Sequence, residues 1–329
     1  MTSVIKPPRL NVGDTIGIAA PASAFDEDAF TKGIRRIQEA GYRPLFQPDI
    51  FSRSNYLAGS DKRRADELNR LFADRSINAI FCARGGYGSQ RILPMLDGDT
   101  IRKNPKIFMG YSDVTALHCY LYNACGLVTF HGPLVTEFGD MSEDALRVVF
   151  DALGNPAPWG ELPSSRLDVL RPGESEGILL GGSLSVFACT LGTPYDHSTA
   201  DAILFFEDRG EKPYAIDRLF SHLKSAGKLD GVRAYTRSIH PSRKMVGRRK
   251  GLWGRGETNR PRCGRFEPLP RALEFSRRAF HEKHLLPPRR AREDRRREGG
   301  GDDHGAMPDG LKKINHGWTR PEGAPLGEN

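Results

Sequence analysis

Short apolar runs alternate with amphipathic stretches along the first two thirds of the chain. TIGIAAPAS (15–23) is an apolar run that ends at Pro21, and DEDAFTKGIRRIQEAG (26–41) follows with apolar positions at helical spacing and Gly41 as its stop. YRPLFQP predicts a short strand, and DKRRADELNRLFAD (61–74) predicts a helix whose apolar stripe is Leu68, Leu71 and Phe72. INAIFCA (77–83) and PKIFMGYSD (105–113) are buried-strand patterns, the second breaking at Gly110 and followed by a helix over VTALHCYLYNACG. Strand and helix in alternation with short connections predict an α/β fold: an open, mostly parallel sheet with flanking helices. In such sheets the functional loops gather at the carboxyl ends of the strands.

A Pro/Gly-rich stretch, NPAPWGELPSS, interrupts this pattern, so the N-terminal domain spans 7–152 and a linker spans 153–165. A second, smaller α/β or β-rich domain occupies 166–234. It contains a strand in ADAILFFED and a helix with Ile216, Leu219, Phe220 and Leu223 on one face and Gly227 as its stop. Beyond Tyr235 no apolar run exceeds two or three residues, and Arg, Gly and Pro dominate. Such a composition cannot bury a face, so 235–329 is expected to be a disordered tail or one read out of frame, leaving the second domain incomplete. Charge divides at the same point. Residues 1–234 carry 26 Lys+Arg against 29 Asp+Glu, whereas 235–329 carry 23 against 12, so the whole-chain charge of +8 belongs to the tail. The tail arginines are not interleaved with aromatics, and nucleic acid is not the expected partner. The five cysteines form no C-x-x-C pair or metal-ligand spacing, and four lie in apolar surroundings that predict buried free thiols in a reducing compartment. Without a signal-peptide pattern or a 20-residue apolar span, a soluble cytoplasmic protein with no membrane partner is expected.

Three constellations could carry chemistry. Gly110-Tyr111-Ser112-Asp113 places a serine at a strand-to-helix turn, where it can be a nucleophile beside the next residue's N–H or simply a helix N-cap. Arg84-Gly85-Gly86-Tyr87-Gly88-Ser89 has three glycines in four positions after a strand, which suits an oxyanion or carboxylate cradle. It fits neither the P-loop nor the dinucleotide fingerprint, so no cofactor is expected. Phe205-Phe206-Glu207-Asp208 puts two acids after an apolar strand, either to orient a catalytic base or as a solvated loop.

IGIAAPAS, ARGGYG (83–88), GYSD (110–113), HGP (131–133), LLGGSLSVF (179–187) and FFEDRGEKPYAIDRLFSHL (205–223), in this order, resemble the LD-carboxypeptidase family of serine peptidases. These enzymes trim murein tetrapeptides, and the family includes the microcin-immunity hydrolases. The resemblance covers residues 7 to about 234. It implies a Ser-Glu-His triad with Ser112 as nucleophile and Glu207 as the acid, and an oxyanion hole from the backbone N–H groups of Gly86 and Asp113. It further implies no metal, a small peptide or muropeptide substrate and a homodimer; Arg84, Gly85 and Tyr87 are the candidates for substrate contact, with loop stabilisation as the alternative role of Arg84 and Tyr87. The reaction it implies is cleavage of an L,D-peptide bond that releases a C-terminal D-amino acid. The family's histidine would fall near 277–290, where only His281 and His284 stand, neither after a glycine or a buried strand. Activity impaired by loss of that histidine is therefore expected, with an inactive scaffold that binds muropeptides as the alternative.

Overall fold

A computed structural model describes residues 4–158, 160, 169–196 and 198–240, the last four by backbone alone. Five strands form the first sheet: β1 (Thr15–Ala19), β2 (Arg43–Leu45), β3 (Ala79–Cys82), β4 (Ile107–Gly110) and β5 (Phe130–His131). Their order is β2-β1-β3-β4-β5, and every pairing is parallel. β3 and β4 are buried at every position, because helices cover both faces of the sheet. Those helices are α1 (Glu27–Glu39), α2 (Asp61–Ala73), α3 (Ser89–Ile92), α4 (Gly98–Lys103), α5 (Thr115–Cys125), α6 (Val135–Phe138) and α7 (Glu143–Gly154).

Local chemistry sets the helix ends. Asp26 and Ser60 accept the N–H groups of Ala29 and Arg63 at the starts of α1 and α2, and Gly126, in the left-handed region, ends α5. The apolar residues of α1 and α7, among them Phe30, Ile37, Val149 and Phe150, pack on one face of the sheet with Ile16, Ile18 and Phe81. On the other face Leu68, Leu71 and Phe72 of α2 join Leu117 and Leu121 of α5 around Ile80 and Phe108.

The second sheet holds β6 (Ile178–Ser183), β7 (Ala202–Arg209) and β8 (Ala234–His240), again parallel and in sequential order. α8 (Leu184–Ala188) and α9 (Pro213–Ser225) connect them. Leu204 and Phe206 pack with Phe187 of α8 and with Ile216 and Leu223 of α9, while Leu219 and Phe220 lie partly buried against the same cluster. At Gly182 the β6 backbone lies directly against Thr115 at the start of α5. A Cβ on Gly182 would lie 2.6 Å from the Thr115 hydroxyl, and Ser183 N–H donates to that hydroxyl at 3.0 Å.

Three expectations need correction. Phe205–Asp208 does not follow its strand but lies within it, since β7 continues to Arg209. Cys189 is exposed, because it follows α8 at a turn, whereas Cys82, Cys119 and Cys125 are buried; Cys263 lies outside the described residues. A strand also spans the point where apolar patterning fades. β8 runs from Ala234 to His240 beside β7, with Ala234 and Thr236 buried and Tyr235 only partly so, the two-residue period of a half-covered strand. Most of the expected aberrant tail, 241–329, lies outside the described residues.

Candidate active site

β4 delivers the chain into Tyr111 and Ser112 at the carboxyl edge of the first sheet. Ser112 has φ +64, one of three non-glycine residues with positive φ among the described residues. L-residues avoid this region, and such strain persists only where the surroundings enforce it. The N-cap alternative does not hold: α5 begins at Thr115, its N-cap position is Val114, and no side chain caps it. Ser112 therefore stands on a sharp turn, as a nucleophile between strand and helix would.

The glycine loop after β3 lies against that turn. A Cβ on Gly85 would be 3.1 Å from the Ser112 Cβ, so no larger residue fits without displacement. Gly86 is exposed with φ +100, and its N–H has no hydrogen-bond partner among the described residues. The buried Asp113 accepts Ser89 N–H at 2.7 Å, tying the exit of the glycine loop to the residue after Ser112. Sequence proximity and these contacts bring Ser112, Asp113, Gly85 and Gly86 together. Arg84 donates to the Ala24 carbonyl at 2.7 Å, an anchoring contact within the loop layer. Tyr87 is exposed and packs edge-on against Tyr56 at 5.8 Å between ring centroids.

Glu207 enters from the second sheet. It lies opposite Ser183 in the β6–β7 register, and Ser183 is the residue hydrogen-bonded to Thr115, three positions after Ser112. Its strand neighbour Phe205, on the same face, meets the His131 ring at 5.0 Å, and His131 packs on Tyr111 at 5.7 Å. These contacts set the Ser183–Glu207 register beside the start of α5 and bring Phe205, two residues before Glu207, against His131 of the first sheet. Asp208 points the other way and is buried, accepting Ser185 N–H at 3.0 Å. His281 and His284 lie outside the described residues.

Several supporting residues escape sequence reasoning. Arg64 on α2 is completely buried and donates to the carbonyls of Pro21 and Gly88, the latter at 2.8 Å, and to Asp61. Burial pulls its pKa down, with Asp61 opposing. One turn further on, buried Glu67 accepts Ala20 N–H at 2.7 Å and pairs with Arg63; burial outweighs both and raises its carboxyl to about 7. α2 thus grips the carboxyl ends of β1 and β3 by charge-assisted bonds. His118 on α5 donates from Nε2 to the Gly110 carbonyl at 2.9 Å, which leaves Nδ1 buried and unprotonated, without a partner among the described residues. Burial lowers its pKa to about 4. The sole sequence signal for the α2 group was charge at helix positions that face inward.

Similarity to known proteins agrees with this architecture. Residues 16–132 match the LD-carboxypeptidase N-terminal domain and residues 176–240 match the LD-carboxypeptidase C-terminal domain. The chain belongs to the LD-carboxypeptidase family, whose members are serine-type peptidases. It is 40% identical over 227 residues to the probable murein peptide carboxypeptidase of Bacillus subtilis, covering 68% of this chain and 71% of that one. The solved MccF-like protein of Bacillus anthracis superposes with a TM-score of 0.66 at 26% identity, over 73% of this chain and 81% of that one. An active-site mutant of the microcin self-immunity protein MccF, known in Escherichia coli, superposes with a TM-score of 0.65 at 28% identity, over 74% and 83% of the two chains. That mutant has a serine, an asparagine and a lysine replaced by alanine. A histidine is not among them, so the expectation of activity impaired by histidine loss finds no support there. The family match also runs to residue 240, past the boundary expected at 234.

Proposed function

We propose that this chain is a serine carboxypeptidase that releases a C-terminal D-amino acid from a small murein-type peptide. The observation that carries the proposal is Ser112, held at φ +64 against Gly85, whose neighbour Gly86 has an N–H without a partner among the described residues. In this reading Ser112 Oγ attacks the carbonyl carbon of the L,D-peptide bond, and the oxygen develops negative charge facing the Gly86 and Asp113 N–H groups. Collapse breaks the C–N bond. The departing amine carries away a proton equivalent to the one Ser112 gave up, leaving an ester on Oγ that water then hydrolyses. Glu207 orients the group that relays the proton, and Arg84, Gly85 and Tyr87 line the approach. The relatives named for murein peptide and for microcin immunity support a compact peptide-like substrate.

The test uses the full chain and a synthetic murein-type tetrapeptide ending in a D-residue, with free D-amino acid as the readout. Release is expected, and Ser112→Ala should lower it by at least about 10⁴-fold, since without the nucleophile only binding and oxyanion stabilisation remain. Equal release by Ser112→Ala, or none by the wild-type chain, would refute the assignment. The analogue ending in an L-residue should not be cleaved.

A further inference from the structure

The N–H of Gly86 can serve an oxyanion only if it faces the right way, and a glycine pair in a loop has little intrinsic preference. The Gly85 carbonyl and the Gly86 N–H belong to one planar peptide and point in opposite directions. Rotation of that single peptide would replace a donor by an acceptor at the site. Ser23, in the loop after β1, is placed to prevent it. Its backbone N–H donates to the Gly85 carbonyl at 3.2 Å, one of two restraints on the Gly85–Tyr87 stretch, the other coming from the hydroxyl. Its hydroxyl accepts the Tyr87 N–H at 3.1 Å and lies 3.4 Å from the Tyr87 carbonyl. The donor residue is thus held on both sides. Ser23 also fills the space against Gly86 itself, where an added Cβ would lie 2.4 Å from its hydroxyl oxygen.

The staple is itself rigidly mounted. Ser23 forms an antiparallel bridge with Leu57, flanked by Ala24 N–H to the Tyr56 carbonyl at 2.9 Å and Ala58 N–H to the Ala22 carbonyl at 3.0 Å. Arg64 holds the Pro21 carbonyl two residues upstream. We infer that Ser23 is a positioning residue that locks the Gly85–Gly86 peptide with its N–H toward the oxygen of a carbonyl bound at Ser112. This inference rests on the proposed roles of Ser112 and Gly86.

Ser23→Ala removes the hydroxyl from a partly exposed site and leaves the fold intact, which thermal unfolding verifies. With the tetrapeptide, kcat should fall about tenfold while KM stays within about twofold, because an oxyanion donor acts in the transition state; complete loss of one such donor costs about 10²–10³-fold. A fluorophosphonate, whose phosphoryl oxygen occupies the same position, should label Ser112 about tenfold more slowly in the variant. Unchanged kcat and labelling, or a rise in KM alone, would overturn the inference while leaving the role of Ser112 untouched. Turnover that survives Ser112→Ala, or a wild-type chain that neither hydrolyses nor labels, would instead overturn the underlying assignment and this inference with it.

Discussion

Arg64→Leu tests whether one buried cation holds the two loops of the site together. The substitution keeps an apolar stem of similar width but removes the donors to Pro21 and Gly88. The Pro21 carbonyl left without its partner costs about 1–3 kcal/mol, whereas the Gly88 carbonyl keeps the Arg91 N–H at 3.2 Å. Asp61 keeps the Arg91 guanidinium at 2.7 Å and is partly exposed, so its loss contributes under about 1 kcal/mol. Leucine recovers part of the desolvation cost that lowers the Arg64 pKa, which offsets some of the sum. A net destabilisation of about 2 kcal/mol remains, to be read as a shift in the urea midpoint at constant m-value. Arg91→Leu, on the exposed side of the same aspartate, should leave the urea midpoint nearly unchanged. A change below about 0.5 kcal/mol for Arg64→Leu would mean that water replaces the guanidinium, and the account of α2 as the clamp of both loops would fail.

Two further perturbations probe the layers behind the site. The folded pKa of His118 lies below its unfolded value of about 6.5, so its contribution is complete above that pH and is lost as the pH falls toward about 4. The loss amounts to roughly 3 kcal/mol at about 1.4 kcal/mol per pH unit, and His118→Gln should flatten the stability profile in that window; identical profiles would refute it. Gly33→Ala puts a Cβ 1.9 Å from the Val135 carbonyl oxygen of α6. The helix-propensity gain of about 1 kcal/mol should be outweighed by overpacking, for a net loss of about 1–2 kcal/mol in denaturant melts, and a stabilised variant would contradict the close α1–α6 contact.

What the sequence discloses depends on how local its cause is. β1, β3 and β4 are legible because strands covered on both faces are runs of apolar residues, and α1, α2 and α9 because each presents one apolar stripe. β5 has only two residues, and α3 and α6 have four each, too short for any period to register. Ser112 is visible as a serine at a strand-to-helix turn, but its positive φ is not, because the packing of Gly85 enforces it from another strand. Glu207 and Asp208 look like a strand end since charge ordinarily marks one. Inside β7 the buried Asp208 is tolerated because it has the Ser185 N–H as a partner. Ser23 carries no local mark of its role, and Arg64 shows only as a charge at an inward-facing helix position. Their roles exist only through main-chain groups of loops 24 to 64 residues away.

The contact of Gly182 with Thr115 also bears on how the two halves of this enzyme can be recombined. Because a bare backbone at Gly182 meets the start of α5, a graft of the second domain from a relative has no side chain at that point to absorb a mismatch. Chimeras joined in the 155–177 segment should retain activity when the glycine pair at 181–182 and the hydroxyl at Thr115 come as a matched set. Partners carrying a β-carbon at the glycine positions would push β6 and its neighbour β7 away from Thr115, whatever the quality of either domain alone.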